Sequence, residues 1–318
     1  MNAVKEVLDI FRNGWNRQVI LYGPPGTSKT YSAVEIAAEF LTETEATLQN
    51  LGEQGTRKYH EACEKYLKDN PRYKIVQFHP SYSYEDFVRG ISVQTNESGL
   101  PIYQTEAKIL EKFCNGCNSD NPKVLVIDEI NRAPLASVLG ELIYGLEYRG
   151  QPVDTPYELS DESPNENNKK QSLTIPEDLY IIGTMNTADR SIGTIDYAVR
   201  RRFAFVRVPS APDVIAPSWT HIGETVEKFY NDLIAEIFSR SLLADPDTEE
   251  EDLKIGHTYF LGLEKETDEG GEKAYFRYRV QYQIWPIYQE YVKDGLIRKE
   301  GLSTFKEIVQ SHFPEIPL

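Results

Sequence analysis

Cysteine and methionine are scarce, at three and two residues of 318, and the first scarcity excludes a disulfide-stapled secreted scaffold. Only Cys114 and Cys117 form a CxxC pair. With no second cysteine or histidine pair at metal spacing, that pair reads as part of a helix end rather than a zinc site. No run of about 18 apolar residues exists that could span a bilayer. The N-terminal MNAVKEVLDIF lacks the basic region, apolar stretch and small-residue cleavage site of a signal peptide. These absences point to the cytoplasm and away from membranes. Positive charge is short as well: 34 basic against 50 acidic residues leave −16. Such a surface repels duplex DNA unless a local basic patch or a partner intervenes.

What is present is a regular alternation. Short runs rich in Val, Ile, Tyr and Phe fall at Val19–Tyr22, Tyr73–Phe78, Val124–Ile127, Leu179–Thr184 and Phe203–Val208. Between them lie helical patterns at Thr30–Leu41, Arg57–Lys68, Glu106–Phe113 and Leu135–Glu147. Strands alternating with helices predict an α/β fold with a parallel sheet covered on both faces. In Leu135–Glu147 the residues Leu135, Val138, Leu139, Leu142 and Leu146 recur at helical spacing, which marks core, with Pro134 suited to the first turn. The polar Pro, Ser and Asn-rich stretch between Glu147 and Glu177 predicts an exposed hairpin with a mobile tip. Ser83 followed by Asp86 fits a helix-starting capping box. From about Ala211 helical spacing takes over, as in Thr225–Leu243, and the acidic run Asp245–Asp252 predicts a loop. The division expected is a large αβα domain over residues 1–210 and a smaller helical domain over 211–318.

Four motifs carry chemistry. The first, GPPGTSKT (Gly23–Thr30), lies between a strand and a helix, where backbone N–H groups and a helix N-terminus face an anion. The cradle expected is Gly23, Pro24, Pro25, Gly26, Thr27 and Ser28, with Lys29 on the β/γ-phosphates and Thr30 on Mg²⁺. Its irregularity is Ser28, where the usual pattern has glycine. If the position demands a positive φ, serine costs about 1–2 kcal/mol, which bounds the effect of Ser28→Gly at roughly 5–30-fold in affinity. The second motif, VLVIDEINRAP (Val124–Pro134), ends a buried-type strand in adjacent carboxylates, with Asp128 suited to the metal and Glu129 to polarising a water. The third, LYIIGTMNTADRS (Leu179–Ser191), delivers Asn186, Thr187, Asp189 and Arg190 together, and an amide there can orient water. The fourth, IDYAVRRRFAFVRV (Ile195–Val208), carries arginines that suit a helix C-terminus and also suit a neighbouring subunit's phosphates.

Together with VQFHPSYSYEDFVRGI, these stretches resemble the AAA+ module of the McrB family, the nucleotide-hydrolysing motors of modification-dependent restriction systems. MNTADRS (Met185–Ser191) is the most specific marker, the likeness spans about Val19 to Val208, and KIGHTYF (Lys254–Phe260) extends it into a lid. The resemblance implies an αβα P-loop fold with a helical lid, assembled as a ring, usually a hexamer. It implies Walker A at Lys29 and Thr30, Walker B at Asp128 and Glu129, and the first sensor at Asn186. Asn131, Asp189 and Arg190 fall at positions implied to organise the catalytic water, and Arg201 and Arg202 at those that reach a neighbouring site. It also implies Mg²⁺, GTP in preference to ATP, and a McrC-like nuclease partner. Two departures stand out: Ser28, and a first strand that starts by Val19, where family members usually place a DNA-recognition domain before the AAA+ module. Target recognition is therefore expected on another chain, on a part outside this sequence, or nowhere, with DNA met only indirectly or through a separate domain. A ring-closing scaffold with little hydrolysis and a general AAA+ protein-remodelling ATPase are the competing functions.

Overall fold

A computed structural model describes residues 3–43, 57–95, 98–160, 169–187, 195–239, 242–244, 250–263 and 267–318. The chain divides into two compact units. One holds Met1–Tyr22, Thr30–Met185 and Asp189–Val206; the other holds the loop Gly23–Lys29, the segment Asn186–Ala188 and Arg207–Leu318.

The first unit is built on a parallel sheet of five strands: β1 (Gln18–Gly23), β2 (Tyr73–Gln77), β5 (Lys123–Asp128), β8 (Leu179–Asn186) and β9 (Ala204–Arg207). Their order is β2-β5-β8-β1-β9, so the C-terminal ends of β5, β8 and β1 lie side by side, where open α/β sheets bind ligands. Register is fixed from Tyr73 opposite Val124 to Gln77 opposite Asp128, and from Lys123 opposite Leu179 to Ile127 opposite Gly183. Val124–Ile127 are buried throughout, as a central parallel strand covered on both faces requires. At the edge the same logic relaxes, and Ile75 on β2 is 42% exposed.

Helices α1 (Ala3–Arg12), α2 (Lys29–Glu43), α3 (Arg57–Leu67), α4 (Tyr84–Phe87), α5 (Ile109–Cys114), α6 (Leu135–Leu139), α7 (Leu142–Glu147) and α8 (Tyr197–Arg200) accompany the sheet. In α1, Val4, Val7, Leu8 and Phe11 form one buried stripe, and Phe11 packs its ring against Phe40 and Tyr180. The capping box expected at Ser83 forms: its hydroxyl accepts from Asp86 N–H while the Asp86 carboxylate accepts from Ser83 N–H. Phe87 is buried and Tyr82 stacks on Phe78, so these rings belong to the core.

Three expectations need correction. Leu135–Glu147 is not one helix. Its apolar stripe is buried as read, but Gly140 adopts φ +53° and separates α6 from α7. The tyrosine ring of Tyr84 would stand 3.3 Å from a Cβ there. Glu106–Phe113 is likewise only half helical, because Glu106 and Ala107 end a hairpin of β3 (Arg89–Thr95) and β4 (Pro101–Ala107), paired from Arg89 opposite Ala107 to Thr95 opposite Pro101. Periodicity hid this hairpin, since Ile91, Val93 and Tyr103 are exposed rather than alternating into a core. In the acidic run, Glu250–Leu253 form a helical turn, α10, while 245–249 lie outside the described residues. The hairpin expected after Glu147 is present as β6 (Pro152–Ser160) and β7 (Lys169–Thr174); its tip, 161–168, lies outside the described residues.

Arg89 fastens the hairpins. The side chain is fully buried, and its Nε and Nη2 donate to Glu111 Oε2 and Oε1 at 2.6 and 2.7 Å. Nη1 donates to Thr155 Oγ1 and to the Tyr157 carbonyl at 2.5 and 2.8 Å. One guanidinium thus ties β3, α5 and β6 together.

The second unit is helical: α9 (Gly223–Ile237), α10, α11 (Glu269–Arg279), α12 (Trp285–Lys293) and α13 (Glu300–His312), with a π-helical turn at Val280–Ile284. Val226, Phe229, Leu233 and Ile237 line the buried face of α9, and Phe229 meets Phe276, Phe305 and Phe313 edge-on. The buried Glu272 carboxylate accepts from the N–H groups of Thr220, His221 and Ile222, pinning the entry to α9. Burial pushes the imidazole of His257 down to about 4, against an opposing pull from the Asp213 carboxylate.

Two outcomes follow. Glu111→Gln leaves Arg89 charged, buried and underpaired, and should lower the unfolding free energy by about 3–5 kcal/mol in chemical denaturation; a loss below about 1 kcal/mol would show that the pair is not structural. His257 is neutral when folded but takes a proton below about 6.5 when unfolded. Its contribution is therefore complete above about pH 6.5 and is lost as pH falls toward about 4. The stability advantage of wild type over His257→Gln should shrink by up to about 3 kcal/mol across that window; an advantage that stays constant would refute the burial of a neutral ring.

Candidate functional site

The loop after β1 winds tightly because two residues take left-handed backbone. Gly26 has φ +78°, and a Cβ there would stand 2.5 Å from the ring of Tyr259. Ser28 has φ +65°, so the position does demand the conformation that costs a non-glycine residue about 1–2 kcal/mol. The helix α2 begins at the next residue, Lys29. The Lys29 ammonium donates to the carbonyls of Gly23 and Pro24 at 3.0 and 2.7 Å, and Thr27 Oγ1 donates to Pro24 O at 3.0 Å.

Within the same unit the segment Gly256–Tyr259 clasps this loop. Gly256 N–H donates to Pro25 O at 2.9 Å and Thr258 N–H to Gly26 O at 3.1 Å. The approach is so close that a Cβ on Gly256 would lie 1.9 Å from Gly26 O. Between these strands of backbone, Ser28 Oγ meets His257 Nε2 at 3.1 Å. A hydrogen bond of this kind is worth about 0.5–1.5 kcal/mol net, comparable to the backbone cost of serine. A cleft of about 170 Å³ opens beside Pro24, bordered by Arg207, Ser210, Tyr230, Glu251 and Lys254.

In the first unit the acidic end of β5 is held by hydroxyls. Asp128 Oδ1 accepts from Thr30 Oγ1 and from Thr184 Oγ1, each at 2.7 Å. Thr184 Oγ1 also accepts from Glu129 N–H at 3.1 Å, and Glu129 itself sits in left-handed backbone, φ +54°. The chain therefore turns sharply as it leaves the sheet, with the Glu129 carboxylate 3.3 Å from Arg132 Nε. Asn131 follows in a short 3-10 turn, buried, and its Oδ1 takes no hydrogen bond among the described residues. A hydroxyl and a carboxylate oxygen already in contact are hard donors of the kind Mg²⁺ accepts, so Thr30 and Asp128 fit that ion.

Asn186 ends β8, and the following Thr187 N–H donates to Gly23 O at 3.0 Å. Asp189 and Arg190 lie outside the described residues. Arg201 and Arg202 follow α8, whose start is capped by Asp196 accepting from Ala198 N–H. The two arginines differ: the Arg202 side chain is 8% exposed and bound to Glu147 Oε2 at 2.5 Å, whereas Arg201 is 66% exposed, 3.5 Å from the same oxygen. Thus Thr30, Asp128 and Glu129 meet in one unit, and Gly23–Lys29 are gathered in the other. Sequence reasoning missed Thr184, which reads as one more strand residue, and gave His257 no role.

A family model for the AAA domain, dynein-related subfamily, matches residues 51–203. The subunit of the type IV methyl-directed restriction enzyme EcoKMcrB of Escherichia coli is 32% identical over 300 residues, 89% of this chain and 56% of that protein. A component of the type II restriction enzyme BsuMI of Bacillus subtilis, YdiS, is 27% identical over 209 residues, 59% of this chain and 56% of that protein. The chain therefore spans just over half the length of each curated relative. The structure of NtrX from Brucella abortus aligns over 96% of this chain and 67% of its own at 13% identity, with a TM-score of 0.34. The sheet, the phosphate-loop motif and the relatives converge, and the chain belongs to the McrB family of AAA+ proteins.

Proposed function

We propose that this chain is a nucleoside triphosphatase that forms a ring and powers a partner nuclease of the McrC kind in DNA restriction. Residues 1–210 act as the large nucleotide-binding domain and 211–318 as its lid. The observation that carries the reading is the acidic end of β5. There Asp128 is fixed by the hydroxyls of Thr30 and Thr184, and Glu129 is turned out of the strand beside it.

In this reading the N–H groups of the Gly23–Ser28 loop and of the α2 N-terminus hold the phosphate chain, with Lys29 as a point charge on it. Thr30 and Asp128 hold Mg²⁺, which when bound neutralises charge on the phosphate oxygens. Glu129 accepts the proton of the attacking water, and Asn186, with Asn131, Asp189 and Arg190, positions that water. The exposed Arg201 suits a reach toward a neighbouring subunit's phosphates. Arg202, buried on Glu147, suits holding that arm in place. The ring is most simply a hexamer, GTP is the favoured substrate over ATP, and DNA is met through another domain or chain. The setting is the cytoplasm. The names of both relatives, a subunit and a component of restriction enzymes, support a partner that cuts.

The test is turnover of GTP and ATP in parallel, with and without any nuclease that co-purifies. Glu129→Gln should bind nucleotide but hydrolyse it about 10²–10⁴-fold more slowly, and Lys29→Ala should lose binding. Wild type as idle as Glu129→Gln in the partner's presence would reduce the protein to a scaffold, and faster hydrolysis of ATP would overturn the base preference.

A further inference from the structure

The residue that departs from the phosphate-loop pattern is also the one the lid segment touches. Ser28 and His257 are 229 residues apart in sequence, yet their side chains meet. The direction of that hydrogen bond can be assigned. His257 Nδ1 accepts from Ala211 N–H at 3.1 Å, with Ser210 Oγ a further 3.5 Å neighbour. Ser210 itself accepts from Tyr230 O–H at 2.8 Å and from His257 N–H at 2.9 Å. A ring nitrogen that accepts from a backbone N–H carries no proton, so the neutral imidazole bears its hydrogen on Nε2. Nε2–H therefore donates to Ser28 Oγ. The hydroxyl is left with its own proton to give, from the last loop residue before Lys29 and the N-terminus of α2.

We propose that Ser28, held as an acceptor by His257, donates its hydroxyl proton to the phosphate chain of the bound nucleotide. Glycine at this position could supply only backbone, so the serine replaces conformational freedom with a directed donor. His257 is then a positioning residue: it fixes which way the hydroxyl points and makes phosphate contact depend on the Gly256–Tyr259 segment. The packing supports this role: neither Gly26 nor Gly256 leaves room for a Cβ, so the two backbone segments lie in direct contact, and the His257 ring is held at Nδ1 by Ala211 N–H. The inference rests on the nucleotide-site reading above and adds to it a side-chain phosphate ligand absent from the usual glycine form of the loop.

The experiment is equilibrium binding of fluorescent nucleoside di- and monophosphates of the preferred base to wild type, Ser28→Ala, His257→Ala, His257→Gln, the Ser28→Ala/His257→Ala double variant and Lys29→Ala. Thermal melts check folding. Ser28→Ala keeps the strained backbone and removes only the donor, so it should weaken the diphosphate about tenfold while leaving the monophosphate nearly unchanged. His257→Ala should produce the same selective loss, the double variant should lose no more than either single one, and His257→Gln should recover part of it through its amide N–H. Diphosphate binding by Ser28→Ala equal to or tighter than wild type overturns the proposal, as does an equal loss for both nucleotides. If wild type itself binds no better than Lys29→Ala, the nucleotide reading fails first and takes this inference with it.

Discussion

The carboxylate of Asp128 is the fixed point of the first unit. It ends a strand whose four preceding residues are wholly buried, so its position is set by the sheet rather than by a loop. Hydroxyls from two other segments, Thr30 at the start of α2 and Thr184 near the end of β8, converge on one of its oxygens. The strand order places β8 between β5 and β1, which is why a hydroxyl from β8 and one from the helix after β1 can both reach it. Thr184 does further service by accepting from Glu129 N–H, which stabilises the left-handed turn that throws Glu129 clear of the strand. Under the proposed function a carboxylate held this way would need little rearrangement to meet a cation and a phosphate, and such preorganisation is where electrostatic catalysis gains most.

Two non-glycine residues among those described adopt left-handed backbone, and they are Ser28 and Glu129. Strain of this kind costs on the order of 1–3 kcal/mol per residue and persists where surrounding contacts over-determine it. Both meet that condition: Glu129 through Thr184, and Ser28 through His257 and the backbone clasp of Gly256 and Thr258 on Pro25 and Gly26. The coincidence of strain with the two motifs that carry the chemistry supports reading them as functional. It also recasts Ser28, which by pattern alone is a defect in the loop and by geometry is a residue with a partner.

Much of this was legible in the sequence because it depends on local patterns. The five core strands announce themselves as short apolar runs, since a covered parallel sheet demands them. The capping box at Ser83 and Asp86 is legible for the same reason. What escaped depends on distance or on exposure. The β3–β4 hairpin buries too little for periodicity to show, and Gly140 breaks a helix whose apolar stripe runs on undisturbed across the break. Thr184 looks like filler until β5 and β8 are set in register. His257 acquires meaning only when the chain brings it back, 229 residues later, to Ser28, and no local pattern encodes that return.

The central claim is that Asp128 and Thr30 form the cation-dependent end of a triphosphate site. It is tested most directly by the affinity of a non-hydrolysable triphosphate with and without Mg²⁺, in wild type and in Asp128→Asn. The account predicts that Mg²⁺ tightens binding to wild type by at least about tenfold, and that Asp128→Asn abolishes this gain while its Mg²⁺-free affinity stays near that of wild type. Binding indifferent to Mg²⁺ in wild type, or a gain that survives in Asp128→Asn, would contradict it.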